Sequence, residues 1–211
     1  MDGNQKQDLN EKLFLAARFD DVEEVKKLLT NGASVDYQCS FDEGKTPLHV
    51  TTNEAIAKVL IQNKASVDRT DFVDWTPLHV SSKDGTIDVT NVLITNKANV
   101  NAETFDKWTP LHFAARNNHF QIVAALISAN ANVNVIDNKE MTPLHFAAYY
   151  GHYEVVIALV NAKADANATD IEGDTPLHKA ASNGKKHMVN LLISLGANIS
   201  AKDKMVRFVY V

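Results

Sequence analysis

The chain has 211 residues, 45% hydrophobic and 22% charged, a composition typical of globular proteins and not of disordered, collagenous or membrane-embedded chains. Its formal net charge of −5 gives no basic footprint for nucleic acid, its single cysteine excludes an internal disulfide, and no apolar run reaches the ~18 residues of a membrane helix. Because the first residues also lack the apolar segment of a signal peptide, we expect a cytoplasmic protein that binds neither nucleic acid nor membrane.

The chain contains an internal repeat. In chain order, a degenerate first copy contains Glu11-Lys12-Leu13-Phe14, and the first clear copy starts 35 residues after Glu11. The tetrapeptide Thr-Pro-Leu-His then begins at Thr46, Thr76, Thr109, Thr142 and Thr175, with periods of 30, 33, 33 and 33 residues. A fixed period of this length indicates a repeat architecture whose copies share one core, because a single copy is too small to bury its own.

One period predicts two helices and a finger. Thr142 suits a helix N-cap and Pro143 the first helical position, so a short first helix starts here. Gly151 ends it, and apolar residues at helical spacing predict a second helix over 153–160. The polar stretch 164–174 then predicts a loop or short hairpin.

The 33-residue period, the repeated Thr-Pro-Leu-His-x-Ala-Ala, the Gly151-His152 pair and the Ala-x-Val-Asn sequences at 98–101 and 131–134 resemble the ankyrin repeat family. The resemblance covers about 9–203. It implies an all-α solenoid of helix-turn-helix units with hairpin or loop fingers, about five full repeats plus a degenerate C-terminal end. We expect a single domain over 1–211, with repeats at about 9–43, 44–73, 74–106, 107–139, 140–172 and 173–204 and a tail at 205–211.

The repeats depart from the family pattern in three places. The copy at Thr46 is three residues short; alignment places the gap at 116–118 of a later copy, which predicts a tight turn between its helices. The finger at 37–45 is the longest. The last copy keeps an apolar second helix with no sixth Thr-Pro-Leu-His after it, so either the tail covers it, or the array continues, or a partner sits there.

The position that ends the second helix is a further departure, because the family favours glycine there. Only Gly32 and Gly196 follow this preference. If the residues elsewhere adopt a left-handed conformation, each costs about 1 kcal/mol relative to glycine. These residues are Lys64, Lys97, Asn130 and Lys163.

Eight histidines raise the question of a metal or catalytic site. Five share one repeat position: His49, His79, His112, His145 and His178. The resemblance implies a structural role, with hydrogen bonds to the Thr-Pro turn, and repeats about 10 Å apart would hold the rings too far from each other to share a metal. There is no His-Glu-x-x-His sequence, no cysteine pair and no phosphate-binding loop, so we expect no enzyme, no catalytic residue, no metal and no cofactor.

Function in such a scaffold resides in the displayed side chains, and here those are aromatic and apolar where turns usually carry polar residues. Such residues are enriched in interface cores. We therefore expect a monomer that binds a protein or peptide partner on its concave face. The expected contact residues are Phe72, Trp75, Phe105, Trp108, Met141, Tyr149, Tyr150, Ile171 and Arg116.

Three alternatives stay open from the sequence. Each displayed aromatic residue could pack against the next finger and serve only the stack. The chain could also be the targeting portion of a larger secreted effector or toxin, delivered into a host cell. A third alternative is a scaffold that associates with itself end to end.

Overall fold

The computed structural model describes residues 3–204, and over this part the chain is all-α, with twelve helices and no strand. Each Thr-Pro-Leu-His copy contributes two helices, as does the degenerate first copy. The helices are α1 (Gly3–Arg18), α2 (Val22–Thr30), α3 (Pro47–Val50), α4 (Glu54–Gln62), α5 (Pro77–Asp84), α6 (Ile87–Thr95), α7 (Pro110–Arg116), α8 (Phe120–Ser128), α9 (Pro143–Tyr150), α10 (Tyr153–Asn161), α11 (Pro176–Ser182) and α12 (Lys186–Ser194). The all-α repeat fold is confirmed, whereas the predicted tail at 205–211 lies outside the described residues.

The chain divides into two compact units, Met1–Phe105 and Asp106–Val211. In the first unit, α3 packs between α1 and α5, while α4 packs between α2 and α6. In the second unit, α9 packs between α7 and α11, and α8 packs against α10. Within each unit the first helices of the repeats therefore form one row and the second helices another. The single-domain boundaries and the six repeat limits stay predictions.

Each first helix begins at its Thr-Pro pair. Thr142 has an extended backbone, with φ −89° and ψ 165°, and Pro143 follows as the first helical residue. The backbone N–H of Thr142 donates to Nδ1 of His145 at 3.0 Å, which satisfies a donor that the helix itself leaves free. All five Thr-Pro-Leu-His copies have this bond.

Four of these five histidines also connect their repeat to the following finger. Because Nδ1 accepts a hydrogen bond, the ring proton resides on Nε2, which donates to a carbonyl oxygen of the next finger. The bonds join His49 to Trp75 at 2.9 Å, His79 to Ala102 at 3.0 Å, His112 to Met141 at 3.1 Å and His145 to Asp174 at 3.0 Å. Nε2 of His178 is buried and has no hydrogen-bond partner among residues 3–204.

The fingers are loops rather than paired strands. In the second finger, the N–H of Asp71 donates to the carbonyl of Trp75 at 2.9 Å and closes a five-residue loop. The longer first finger closes through an isolated antiparallel bridge between Cys39 and Lys45. Of the two forms that the sequence allowed, the structure has the loop.

The three-residue deletion in the second repeat shortens a helix and not a turn. The first helix of this repeat, α3, has four residues, whereas α7 has seven. Three residues separate the paired helices in both repeats, at 51–53 and 117–119. The prediction of a tight turn was therefore wrong. Asn53 caps α4 by accepting the N–H of Ala55 at 2.9 Å, so the second helix still starts in register.

The helix-ending positions are left-handed whether or not they hold glycine, so the condition for the strain is met. Lys97 has φ 68°, and the other three non-glycine residues range from 65° to 73°. Gly32 has φ 91° at the same position of the first repeat. A Cβ atom in this region clashes with the neighbouring carbonyl, so each of these lysines carries a local strain.

We expect Lys97→Gly to raise the free energy of unfolding by about 1 kcal/mol, because glycine adopts positive φ without that clash. Urea unfolding followed by circular dichroism measures the change. The matched control is Gly32→Lys, where an added Cβ would meet no atom within 4 Å, so backbone strain alone should lower the stability by a similar amount. Equal or lower stability of Lys97→Gly would contradict the strain.

The buried histidines predict an acid-sensitive fold. Burial lowers the pKa of His112 from its ordinary 6.5 to about 4, and it also lowers the pKa of His49 and His145. Between pH 6.5 and 4 the unfolded chain therefore binds protons that the folded chain does not. Since stability rises with pH wherever the unfolded state holds more protons, the stabilisation is complete above pH 6.5 and is lost on acidification through this window.

We expect His112→Gln to reduce the pH dependence of the free energy of unfolding. One histidine contributes about 1.4 kcal/mol for each pH unit between its unfolded and folded pKa values. Urea unfolding at pH 8, 6 and 5 compares the variant with the wild type. The difference at pH 8 measures the lost packing and hydrogen bonds, and its decrease toward pH 5 isolates the proton effect. Parallel stability curves would show that His112 does not titrate in this way.

Candidate interaction surface

In three of the fingers an aspartate fixes the residue that precedes the Thr-Pro pair. Oδ1 of Asp71 accepts the N–H groups of Val73 at 3.0 Å and Trp75 at 2.9 Å. Asp137 does the same in the fourth finger, where it accepts the N–H of Met141 at 2.9 Å. The carbonyl groups of Trp75 and Met141 accept hydrogen bonds from His49 and His112. Side chains therefore bind both the N–H and the carbonyl of these two finger residues.

Trp108 lies at the centre of an aromatic cluster in the second unit. It is half-buried, and its ring centroid lies 4.8 Å from that of Phe113 and 4.6 Å from that of Phe146. Sequence reasoning missed both phenylalanines. The signal was available, because each stands four residues after the threonine of its copy, on the first helix.

Arg116 lies between two aromatic rings. Its Cζ atom is 5.5 Å from the centroid of Trp108 and 5.9 Å from that of Tyr150, which also accepts a 3.4 Å hydrogen bond from Nε. Tyr149 meets Tyr150 edge to face, with centroids 5.0 Å apart. We call Trp108, Arg116, Tyr149 and Tyr150 the Arg116 surface.

The backbone beneath this surface is tied to residues further along the chain. Nε2 of His152 donates to the carbonyl of Arg116 at 2.9 Å, and Nδ2 of Asn183 donates to that of Tyr149 at 2.6 Å. Burial lowers the pKa of His152, although the hydrogen bond to Arg116 acts in the opposite direction. These bonds satisfy carbonyl groups at the helix ends and hold the exposed side chains in place.

The other predicted contact residues of the second unit lie on its fingers. Met141 is half-buried and Ile171 is exposed. The N–H of Ile171 donates to the carbonyl of Lys139 at 3.0 Å, so one finger is bonded to the next. Their membership in a binding surface stays a prediction.

In the first unit, the predicted contact residues differ in their exposure. Phe105 is 80% exposed and Phe72 is 64% exposed, although the Phe72 ring lies against the position where Gly44 would carry a side chain. Trp75 is half-buried, and the Nζ atom of Lys83 lies 5.3 Å from its ring centroid. Phe72 thus packs on the preceding finger, as the stacking alternative expects, while much of its ring faces solvent.

Two sets of side chains carry reactive groups: a cluster of three carboxylates in the second unit and the thiol of Cys39 in the first. The carboxylates of Asp170, Glu172 and Asp174 come together, but the ammonium group of Lys179 lies 2.5 Å from Asp170 and 2.9 Å from Asp174. Burial alone would lower the pKa of Lys179, yet its hydrogen bonds with both aspartates raise it, so the lysine stays charged and balances the acids. Burial also raises the pKa of the Cys39 thiol, which keeps it protonated at neutral pH.

Over residues 3–204, no helix is both long and apolar enough to cross a membrane. A comparison with curated proteins gives no match.

The family comparison does give matches. The family described as ankyrin repeats (3 copies) matches four overlapping stretches, at 13–104, 51–137, 98–170 and 131–203. Ankyrin repeats are generally protein–protein interaction modules and typically not enzymes. With matches over nearly the whole of a chain that folds into paired helices and loop fingers, the protein belongs to the ankyrin repeat family.

Proposed function

We propose that this chain is a non-enzymatic protein-interaction module whose partner contacts the Arg116 surface. The observation that carries the proposal is the placement of Arg116 between the rings of Trp108 and Tyr150. Tryptophan, tyrosine and arginine are the residue types that dominate the binding energy of protein interfaces. Here they occur together on the first helices and a finger, where a partner can reach them.

The exposure of the two tyrosines supports the same proposal. Tyr149 and Tyr150 are 38% and 39% exposed, although each carries a large apolar ring. Covering such a ring releases water and is favourable by about 25 cal/mol for each Å² of apolar surface buried. Because the backbone below them is hydrogen-bonded in place, little conformational freedom would be lost on binding.

In the second unit the proposed contact also includes Met141 and Ile171 on the fingers. In the first unit the predicted contact residues are Phe72, Trp75 and Phe105, which we propose as a contact of that unit's own fingers. The half-buried tryptophans pack against neighbouring side chains, so their truncation would damage folding as well as binding. The tyrosines separate these two effects better.

We expect the double variant Tyr149→Ser/Tyr150→Ser to lose at least ten-fold in capture of a specific partner, measured by affinity purification with quantitative mass spectrometry. The matched control is Tyr153→Ser/Ile157→Ser, which removes two apolar side chains of similar exposure, 43% and 40%, from the second helix α10. The control should capture the partner as the wild type does.

Circular dichroism and the melting temperature of both double variants must stay near the wild-type values for the comparison to count. Equal loss of capture in both double variants would contradict a site on the first helices. Undiminished capture by the Tyr149→Ser/Tyr150→Ser protein would overturn the proposed surface.

A further inference from the structure

A cavity lies beside the shortened helix α3 in the first unit. Its volume is about 430 Å³, inside the ~300–1,000 Å³ range of ligand pockets. Arg18 at the end of α1 lines one side, α5 lines the other, and Thr51 and Thr52 lie where a longer helix would continue. The cavity therefore lies at the end of the helix that the three-residue deletion shortens.

The cavity has an apolar wall formed by small side chains. Val50 and Val80 both line it, and each stands four residues after the threonine of its copy. The same repeat position holds Phe113 and Phe146 in the second unit, where both rings pack on Trp108. Valine at this position leaves open the space that phenylalanine would take.

Asp71 lines the same cavity, and one of its two carboxylate oxygens lacks a hydrogen-bond partner among the described residues. The side chain is only 5% exposed, and its Oδ1 is used by the finger backbone. Its second oxygen, Oδ2, is buried and has no hydrogen-bond partner in the part of the chain that the structure describes. A buried carboxylate oxygen in this state costs free energy that a cationic group would recover.

The last repeat shows which group fits this oxygen. Asp170 holds the same finger position as Asp71, with the same Oδ1 bonds, and its Oδ2 contacts the ammonium of Lys179 at 2.5 Å. Lys179 stands four residues after Thr175, the position that Val80 holds after Thr76. In the cavity, the aspartate is present and the lysine is replaced by valine.

The charges around the cavity agree with this comparison. Arg18 is paired with Asp42, and Lys45 is paired with Asp42 and Glu43, each at 3.0 Å. Lys83 also lines the cavity, with its ammonium group on the Trp75 ring, and Asp84 lines it as well. Three cationic and three acidic side chains therefore line the cavity, and of the acids Asp71 has a buried oxygen with no hydrogen-bond partner among the described residues. The cavity is complementary to an incoming cation rather than to an anion.

We propose that this cavity accepts a lysine side chain of the protein partner, with its aliphatic stem along Val50 and Val80 and its ammonium group on Oδ2 of Asp71. The inference rests on the proposed function, since the lysine belongs to the partner of that interaction. Lysine stems commonly lie along apolar surface while the charged end reaches a polar group.

The test uses small probes and the full chain, so it needs no partner. The probe is Nα-acetyl-lysine methylamide, and Nα-acetyl-norleucine methylamide is its uncharged counterpart with a similar stem. The chain has two tryptophans, so the indole N–H signals in a ¹⁵N-correlated NMR spectrum separate the cavity residue Trp75 from Trp108. We expect a saturable shift of Trp75 with the lysine probe, binding at least ten-fold weaker with norleucine, and no matching shift of Trp108.

Two variants test the ammonium site. Asp71→Asn keeps an oxygen for the finger N–H groups and should weaken the lysine probe at least ten-fold, while Asp137→Asn, with the same backbone bonds in the fourth finger, should not change it. Val80→Lys repeats the Lys179 arrangement and should abolish probe binding by occupying the site. Equal binding of the two probes, or unchanged lysine binding in both the Asp71→Asn and the Val80→Lys proteins, would overturn the proposal.

Failure of this proposal and failure of the proposed function give different results. If the Trp75 signal responds as expected but Tyr149→Ser/Tyr150→Ser captures its partner undiminished, the lysine site is supported and the Arg116 surface is overturned. If capture depends on the tyrosines but the lysine probe gives no saturable shift, the interaction surface stands and the lysine site is overturned.

Discussion

The hydrogen bond from a buried histidine to the next finger is the interaction on which the repeats depend. One ring nitrogen accepts from the backbone of its own Thr-Pro turn, and the other donates to a carbonyl of the following repeat, as His112 does between Thr109 and Met141. Four of the five imidazoles thus fix both the start of a helix and the position of the next finger. The arrangement requires a neutral ring, so the same interaction that orders the repeats makes their stability depend on pH.

This connection explains how the chain tolerates the loss of three residues in the second repeat. Thr46 and His49 still form the turn, and His49 still reaches the carbonyl of Trp75, because both bonds lie at the beginning of the helix. The deletion removes only the end of α3, beyond the residues that make these contacts. A site can therefore form at the helix end without disturbing the connection between repeats.

The repeat pattern made most of the fold predictable, because local rules determine it: Thr-Pro starts helices, and helix-ending positions such as Lys97 take positive φ. The location of the deletion was not predictable in the same way. Alignment shows how many residues are missing but not whether the helix or the turn is shortened. Here the helix is shortened, and Asn53 caps the start of the next helix, α4. The aromatic surface was predictable only in part, since Phe113 and Phe146 pack on Trp108 from other elements of the fold.

A single position on the first helix differs between repeats in the side chain that it carries. Four residues after the threonine, valine leaves space in the first unit, phenylalanine fills it against Trp108 in the second, and Lys179 fills it with a charge balanced by Asp170. The position can vary in this way because the threonine, proline, leucine and histidine before it already secure the turn and the core. The scaffold thus separates the residues that keep the fold from those that can vary between repeats, and in this chain the two kinds are adjacent residues of one helix.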